Sequence, residues 1–166
     1  MLTLSLVSAP TPDVVMLVEE LEAVLGAEYP PEQRHGLDIA SIFQPHIRFF
    51  VATLDAQAVG CGGVALMSDL AEVKRMYVRP SVRGRGVAQA ILARLEAEAR
   101  GAGLPTLCLE TGDKQHDALR LYRRYGFLDC GAFGHYAAMT PHAIATSIFL
   151  EKKLDHSALI ASDTMR

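Results

Sequence analysis

One run, Val78-Arg79-Pro80-Ser81-Val82-Arg83-Gly84-Arg85-Gly86-Val87-Ala88-Gln89, constrains the fold of this chain more than any other. Alternating apolar residues from Ala71 to Val78 lead into it and predict a strand. Arg79-Pro80 ends that strand, because proline lacks a backbone donor and restrains the residue before it. Val87, Ala88, Ile91, Leu92, Leu95 and Ala99 then recur at helical spacing, and Gly101 and Gly103 stop the pattern. Arg83 to Ala88 is therefore a strand-to-helix turn carrying two glycines and two arginines.

Such a turn suits a phosphate. The first amides of a helix have no internal partner, and the helix dipole adds partial positive charge at that end. Gly84 and Gly86 can take positive φ and let a ligand approach the backbone closely. Arg83 and Arg85 add fixed charge, so phosphate or pyrophosphate is the ligand class. A P-loop would need a Gly-Lys-Ser/Thr ending, which is absent. A dinucleotide fingerprint would need glycine where Gln89 stands. The pattern that does fit is R-x-x-G-x-A, as Arg83, Gly86 and Ala88. Against it stands the plainer reading of a glycine-rich turn with solvated arginines.

The rest of the chain supplies one domain's worth of core. Of its 166 residues 50% are hydrophobic, which predicts a soluble globular protein with one domain over residues 1–154 and a loose tail over 155–166. No apolar run reaches membrane length, and Met1-Leu2-Thr3-Leu4 lacks the basic start of a signal peptide. Cys61, Cys108 and Cys130 lie in apolar segments without C-x-x-C spacing. They read as buried free thiols in a reducing cytoplasm. The histidines show no metal-ligand spacing, so no metal is expected. Charge is uneven. Seven acids and the single base Arg34 stand between Asp13 and Asp38, while seven bases face Glu96 and Glu98 between Lys74 and Arg100. That asymmetry suits an anionic cofactor and a cationic or zwitterionic acceptor held in a pocket lined by the acidic N-terminal half, although solvated helix faces would give the same pattern.

Periodicity orders the elements as β-α-α-β-β-β-α-β-α-β-β. Strands fall at Leu2–Val7, Ile47–Leu54, Val59–Met67, Ala71–Val78, Thr106–Glu110, Phe127–Gly131 and Ala145–Lys153. Helices begin after Thr11, near Gly36–Phe43, at Val87 and around Ala118–Tyr125. Asp55 to Ala58 is a hairpin turn. Gly60, Gly62 and Gly63 predict a close neighbour or a bulge, and Val73, Met76 and Val78 need a bulge near Lys74-Arg75 to share one face. Helices on the faces of a mixed sheet give an α/β, mixed α+β class.

Gln115-His116-Asp117-Ala118-Leu119-Arg120-Leu121-Tyr122-Arg123-Arg124-Tyr125-Gly126-Phe127 supplies a second motif, N-x-x-A-x-x-L-Y-x-x-x-G-F, with Gln115 at the position of the asparagine. The two motifs, their separation and the element order from Leu2 to Lys153 resemble the GCN5-related N-acetyltransferase (GNAT) family. Glu110-Thr111-Gly112, Gly131-x-Phe133-Gly134-x-Tyr136 and Ser147 to Lys152 further resemble its bacterial small-molecule acetyltransferases. The resemblance implies a mostly antiparallel sheet whose middle strands splay, with helices on both faces. It implies acetyl-CoA as cosubstrate, its pyrophosphate on Arg83, Gly84, Arg85, Gly86, Val87 and Ala88. The arm of the cofactor would pair with backbone at Met76, Tyr77 and Val78 by strand addition, with further contacts at Thr111, Gln115, Ala118 and Tyr122. The acceptor is expected between the first two helices and the loop near Phe133, against Tyr29, Glu110, Phe133 and Tyr136.

Acetyl transfer to an amine needs a base, donors for the oxyanion, and a proton for the leaving thiolate. Glu72 is the preferred base and Glu110 the second candidate. The Val78 amide is the oxyanion donor and Tyr122 the acid. A half-exposed strand carboxylate paired with Lys74 or an arginine, and a core tyrosine, are the plainer alternatives for Glu72 and Tyr122. The leading function is an acetyl-CoA-dependent N-acetyltransferase acting on a small primary amine by direct attack. Alternatives are a non-catalytic acyl-CoA-binding module, an acetyltransferase of a protein N-terminus or lysine, and a nucleic-acid binder using Arg79, Arg83 and Arg85. The net charge of −3 argues against the last. Neither nucleic acid nor membrane is an expected partner; a homodimer is.

Overall fold

A computed structural model describes residues 1–155, so the expected tail, Asp155 apart, lies outside the described residues. One seven-stranded sheet has the order β1-β2-β3-β4-β5-β7-β6. Its strands are β1 (Leu2–Val7), β2 (Ile47–Leu54), β3 (Gln57–Leu66), β4 (Ala71–Val78), β5 (Thr106–Gly112), β6 (Leu128–Cys130) and β7 (Ser147–Lys153). The helices are α1 (Pro12–Glu28), α2 (Ile39–Ile42), α3 (Val87–Gly101) and α4 (His116–Arg124). Every pairing is antiparallel except β4 with β5. The mixed, mostly antiparallel class expected from the sequence is what forms.

Local chemistry sets most boundaries. Thr11 caps α1 by accepting from the Val14 amide at 3.3 Å, with Pro12 in the first turn. The helix runs two residues past Gly26, its expected end, and stops at Tyr29, because Pro30 disfavours helical backbone in the residue before it. Helix α2 is shorter than the expected Gly36–Phe43: Asp38 caps it through the Ser41 amide at 2.7 Å. Gly36 and Leu37 lie before that cap, and the Leu37 carbonyl accepts from Arg75 instead. The β2–β3 hairpin turns on Asp55 and Ala56 alone, both at positive φ (50° and 66°), a tighter turn than the expected four residues.

Two apolar layers hold the sheet. Val14, Leu17, Val18 and Leu21 of α1 and Ile42 of α2 pack with Phe49, Val51, Cys61 and Tyr77 on one face. Ile91, Leu92 and Leu95 of α3 and Leu119 and Tyr122 of α4 pack with Phe50, Leu107, Leu109 and Leu150 on the other. Each fully buried aliphatic side chain contributes about 1.5–3 kcal/mol. Truncating Leu92 to alanine would cost about 2–5 kcal/mol, since nothing can refill its place cheaply. Strand β3 lies close under α3: a Cβ on Gly62 would stand 2.7 Å from Ile91 Cγ2.

The predicted bulge is present at Arg75-Met76. Tyr77 pairs with Cys61 and Lys74 with Gly63, so two residues of β4 oppose Gly62 alone. Arg75 takes φ +52° there. The extra residue keeps Val73, Met76 and Val78 with the α3 layer and sends Tyr77 to the α1 layer. Strand β4 then meets β5 only at Ala71–Leu107 and Glu72–Cys108. Beyond those two rungs the strands splay.

Candidate active site

The cleft begins at the turn before α3. Gly86 is the N-cap residue at φ +81°, Gly84 stands at φ +80°, and a Cβ on either would meet no atom within 4 Å. The space above the turn is open, so its backbone is accessible to a ligand. Arg83 and Arg85 are exposed. Arg83 lies 3.9 Å from Asp117, an exposed pair worth at most about 1 kcal/mol and easily given up to a phosphate. Arg79 is different. It grips Glu20 of α1 through three contacts of 2.9–3.1 Å, so it braces the end of β4.

From the turn a groove of about 470 Å³ runs along Met76, Tyr77 and Val78 to Lys114, Gln115, Ala118, Leu121 and Tyr122. The splay gives β4 an unpaired edge there. The Arg79 amide donates to Val59 at 2.9 Å, and Val78 stands opposite Gly60. Antiparallel pairing alternates, so Val78 directs its N–H and C=O away from β3 and into the groove. A peptide-like arm can pair with that edge. The open turn and the free edge together fit the pyrophosphate and the amide-bearing arm of a coenzyme A.

The groove opens into a chamber of about 130 Å³, and Leu21, Met76, Gln115, Ala118 and Tyr122 line both. Ala118 is small and leaves the passage free. Tyr122 is 7% exposed, and its ring packs edge-on against Phe127 at 5.9 Å. Its hydroxyl has no hydrogen-bond partner among the described residues. Burial, with the Glu110 charge nearby, pushes that hydroxyl up to about 12, so it stays protonated at neutral pH and can donate.

Two carboxylates line the chamber. Glu110 accepts from the Ser147 hydroxyl at 2.7 Å. Burial raises its pKa, partly offset by that hydrogen bond and by His35 and Lys74. Glu72 is 5% exposed and already engaged, because its Oε2 accepts from Tyr136 at 2.6 Å and from Lys74 at 3.0 Å. The Lys74 partner expected from the plainer reading is there, but the pair is buried rather than half-exposed. Lys74 also donates to the Tyr136 hydroxyl at 3.2 Å. Burial and the Glu72 charge raise the Tyr136 pKa, so Tyr136 serves as a donor.

Tyr29 caps α1 and walls the chamber. Its hydroxyl accepts from the Lys114 amide at 2.8 Å, and a Cβ on Gly112 would overlap its ring. That fit fixes where α1 ends against β5. Thr111 lines the chamber rather than the groove, so it faces the acceptor side and not the cofactor side first expected. Phe133 is a correction. It stands behind Tyr136, edge-on at 5.3 Å and against Phe149 at 5.7 Å, and does not line the chamber. The expected acidic lining is a second correction: Arg34, Lys74 and Arg75 line the chamber beside Glu72 and Glu110. Two acids of α1 are turned to ion pairing, Glu20 with Arg79 and Glu22 with both Arg34 and Arg75. Arg34, His35, Lys74 and Ser147 were not foreseen as site residues. The signal of Arg34, His35 and Lys74 is tertiary, since none of the three stands in a motif; Ser147 opens the Ser147 to Lys152 segment, but its contact with Glu110 arises only when β5 and β7 pair. No group of three or more His, Cys, Asp or Glu is placed to hold a metal among the described residues, and no described helix is long and apolar enough to cross a membrane.

Comparison with known proteins agrees with this geometry. The model of the acetyltransferase (GNAT) family matches residues 16–127. An IAA acetyltransferase of Azospirillum brasilense is 46% identical over 143 residues, spanning 85% of this chain and 90% of that one. The uncharacterized N-acetyltransferase YsnE of Bacillus subtilis is 33% identical, spanning 85% and 92%. The crystal structure assigned to an acyl-CoA N-acyltransferase of Klebsiella pneumoniae superposes with a TM-score of 0.72 at 31% identity, covering 93% of this chain and 99% of that one.

Proposed function

The chain belongs to the GNAT acetyltransferase family, and on that premise we propose that it transfers the acetyl group of acetyl-CoA to the primary amine of a small molecule, by direct attack in a ternary complex. The observation that carries this reading is the junction at Tyr122. A groove suited to coenzyme A and a small polar chamber meet there, beside an unpartnered, protonated hydroxyl. Acetyl-CoA, when bound, supplies an activated thioester. Met76, Tyr77 and Val78, the turn Arg83–Ala88, Gln115 and Ala118 would hold it.

The residues of the chain divide the remaining work. Glu110 takes the proton from the acceptor ammonium, a task its raised pKa suits better than a fully ionised surface carboxylate would. This role moves from Glu72, whose one oxygen is held by Lys74 and Tyr136. The Val78 amide faces the groove where an oxyanion would develop. The Tyr122 hydroxyl donates toward the leaving sulfur. Leu21, Leu25 and Tyr29 cover the chamber and limit water. The 130 Å³ of the chamber supports a small acceptor over a folded protein segment, and the Azospirillum relative is named for acetylation of IAA.

Initial rates with acetyl-CoA and amine both varied test the reading. Direct attack gives intersecting double-reciprocal lines. Parallel lines would mean a covalent acetyl-enzyme and would overturn it.

A further inference from the structure

We propose, resting on the acetyltransferase reading above, that the acceptor carries a carboxylate as well as an amine, and that Arg34 anchors the carboxylate while the amine faces Glu110. The starting observation is a shortage of acceptors around two arginines. Arg34 and Arg75 both reach Glu22, the only carboxylate that pairs with either among the described residues. Arg75 holds Glu22 closely and also donates to the Leu37 carbonyl at 2.7 Å, and its side chain is only 6% exposed. Arg34 is left with a single long contact, Nη1 to Glu22 Oε2 at 3.4 Å. Its Nε is buried and has no hydrogen-bond partner. A buried donor without an acceptor is costly, and a guanidinium with most of its fork unused fits a planar carboxylate.

The carboxylates of the chamber have the opposite character. Lys74 is neutralised by Glu72, which Tyr136 also binds, so that trio cancels internally. Glu110 has only the Ser147 hydroxyl on one of its oxygens. The charge left over is thus positive at Arg34 and negative at Glu110, both lining one chamber of about 130 Å³. A zwitterion aligns with that polarity, its carboxylate on Arg34 and its amine at the base. A simple amine would leave the Arg34 end unmatched, and an acid without an amine would leave nothing for Glu110 to deprotonate.

The test compares amino acids with their carboxamides, in coenzyme A release by wild-type protein and by Arg34→Gln and Arg34→Lys. The expected result is a preference for the carboxylate of about 10-fold or more in kcat/KM, the worth of one charged hydrogen bond. It should be carried by KM, lost in Arg34→Gln and partly kept in Arg34→Lys. Carboxamides used equally well, or a preference that survives in an Arg34→Gln protein with a wild-type melting curve, would overturn the inference while leaving acetyl transfer intact. A second measurement needs no turnover: the coenzyme A-loaded protein is titrated with N-acetyl amino acids and their amides. Arg34-dependent selection of the acids sustains the carboxylate site even if no amine releases coenzyme A, and binding blind to the charge overturns it.

Discussion

Glu110 and Ser147 sit diagonally across the β5–β7 ladder, and the serine hydroxyl donates to Glu110 Oε2 at 2.7 Å. Burial lifts the Glu110 pKa and this hydrogen bond pulls it back. A base works when deprotonated, so kcat/KM should rise with pH through the Glu110 pKa, and Ser147→Ala should move that limb to higher pH. Glu110→Gln should lose about 10²–10⁴-fold in turnover and abolish the limb. Stability carries the opposite sign. The native state holds this proton more tightly than the unfolded chain, so stability falls as pH rises through the folded pKa. A limb at one pH in both wild type and Ser147→Ala would assign the base elsewhere.

Tyr122→Phe separates chemistry from packing. The ring contact with Phe127 remains, and the hydroxyl has no partner to lose among the described residues, so the melting curve should barely move. Turnover should drop about 10²–10⁴-fold with little change in acetyl-CoA affinity. Because the hydroxyl titrates only near 12, no activity loss on its account is expected below pH 10. Wild-type turnover with saturating acceptor would remove Tyr122 from the mechanism.

Gly86→Val addresses the turn. At φ +81° any side chain adds about 1–2 kcal/mol of backbone strain, while the open space above means no clash in the free protein. The folded variant should show a strongly raised KM for acetyl-CoA with the acceptor KM unchanged. Unaltered acetyl-CoA affinity would show that phosphates bind elsewhere.

These elements were not equally legible in the sequence. The turn, α1, α3 and α4 were, because their signals are local: glycines at fixed offsets, apolar residues at helical spacing, a cap at Thr11 for α1. The bulge was legible too, since three apolar residues of β4 could share a face no other way. The polar lining of the chamber was not. Glu72 and Tyr136 lie 64 residues apart, and the engagement of Glu22 by Arg34 and Arg75 exists only after α1 packs on β4. A count of acids along α1 therefore suggested an acidic pocket, whereas pairing leaves a basic wall. Phe133 and Tyr136 share one loop, and only the three-dimensional turn decides which ring faces the chamber.

Lys74→Met tests the Glu72 trio. It strands a buried carboxylate with one remaining donor and should destabilise by about 3–5 kcal/mol. Adding Glu72→Gln should recover much of that loss, because no buried charge is then left. A Lys74→Met melting curve equal to wild type would show that the pair contributes no net stability.

The most direct measurement is mass spectrometry of the acceptor after incubation with acetyl-CoA bearing a deuterated acetyl group. The predicted result is one labelled acetyl on the amine of a small acceptor, equal in amount to the coenzyme A released, and lost with Tyr122→Phe. Acetyl-CoA that binds yet yields no labelled amine from any small acceptor, or label found only on protein lysines, would contradict the account.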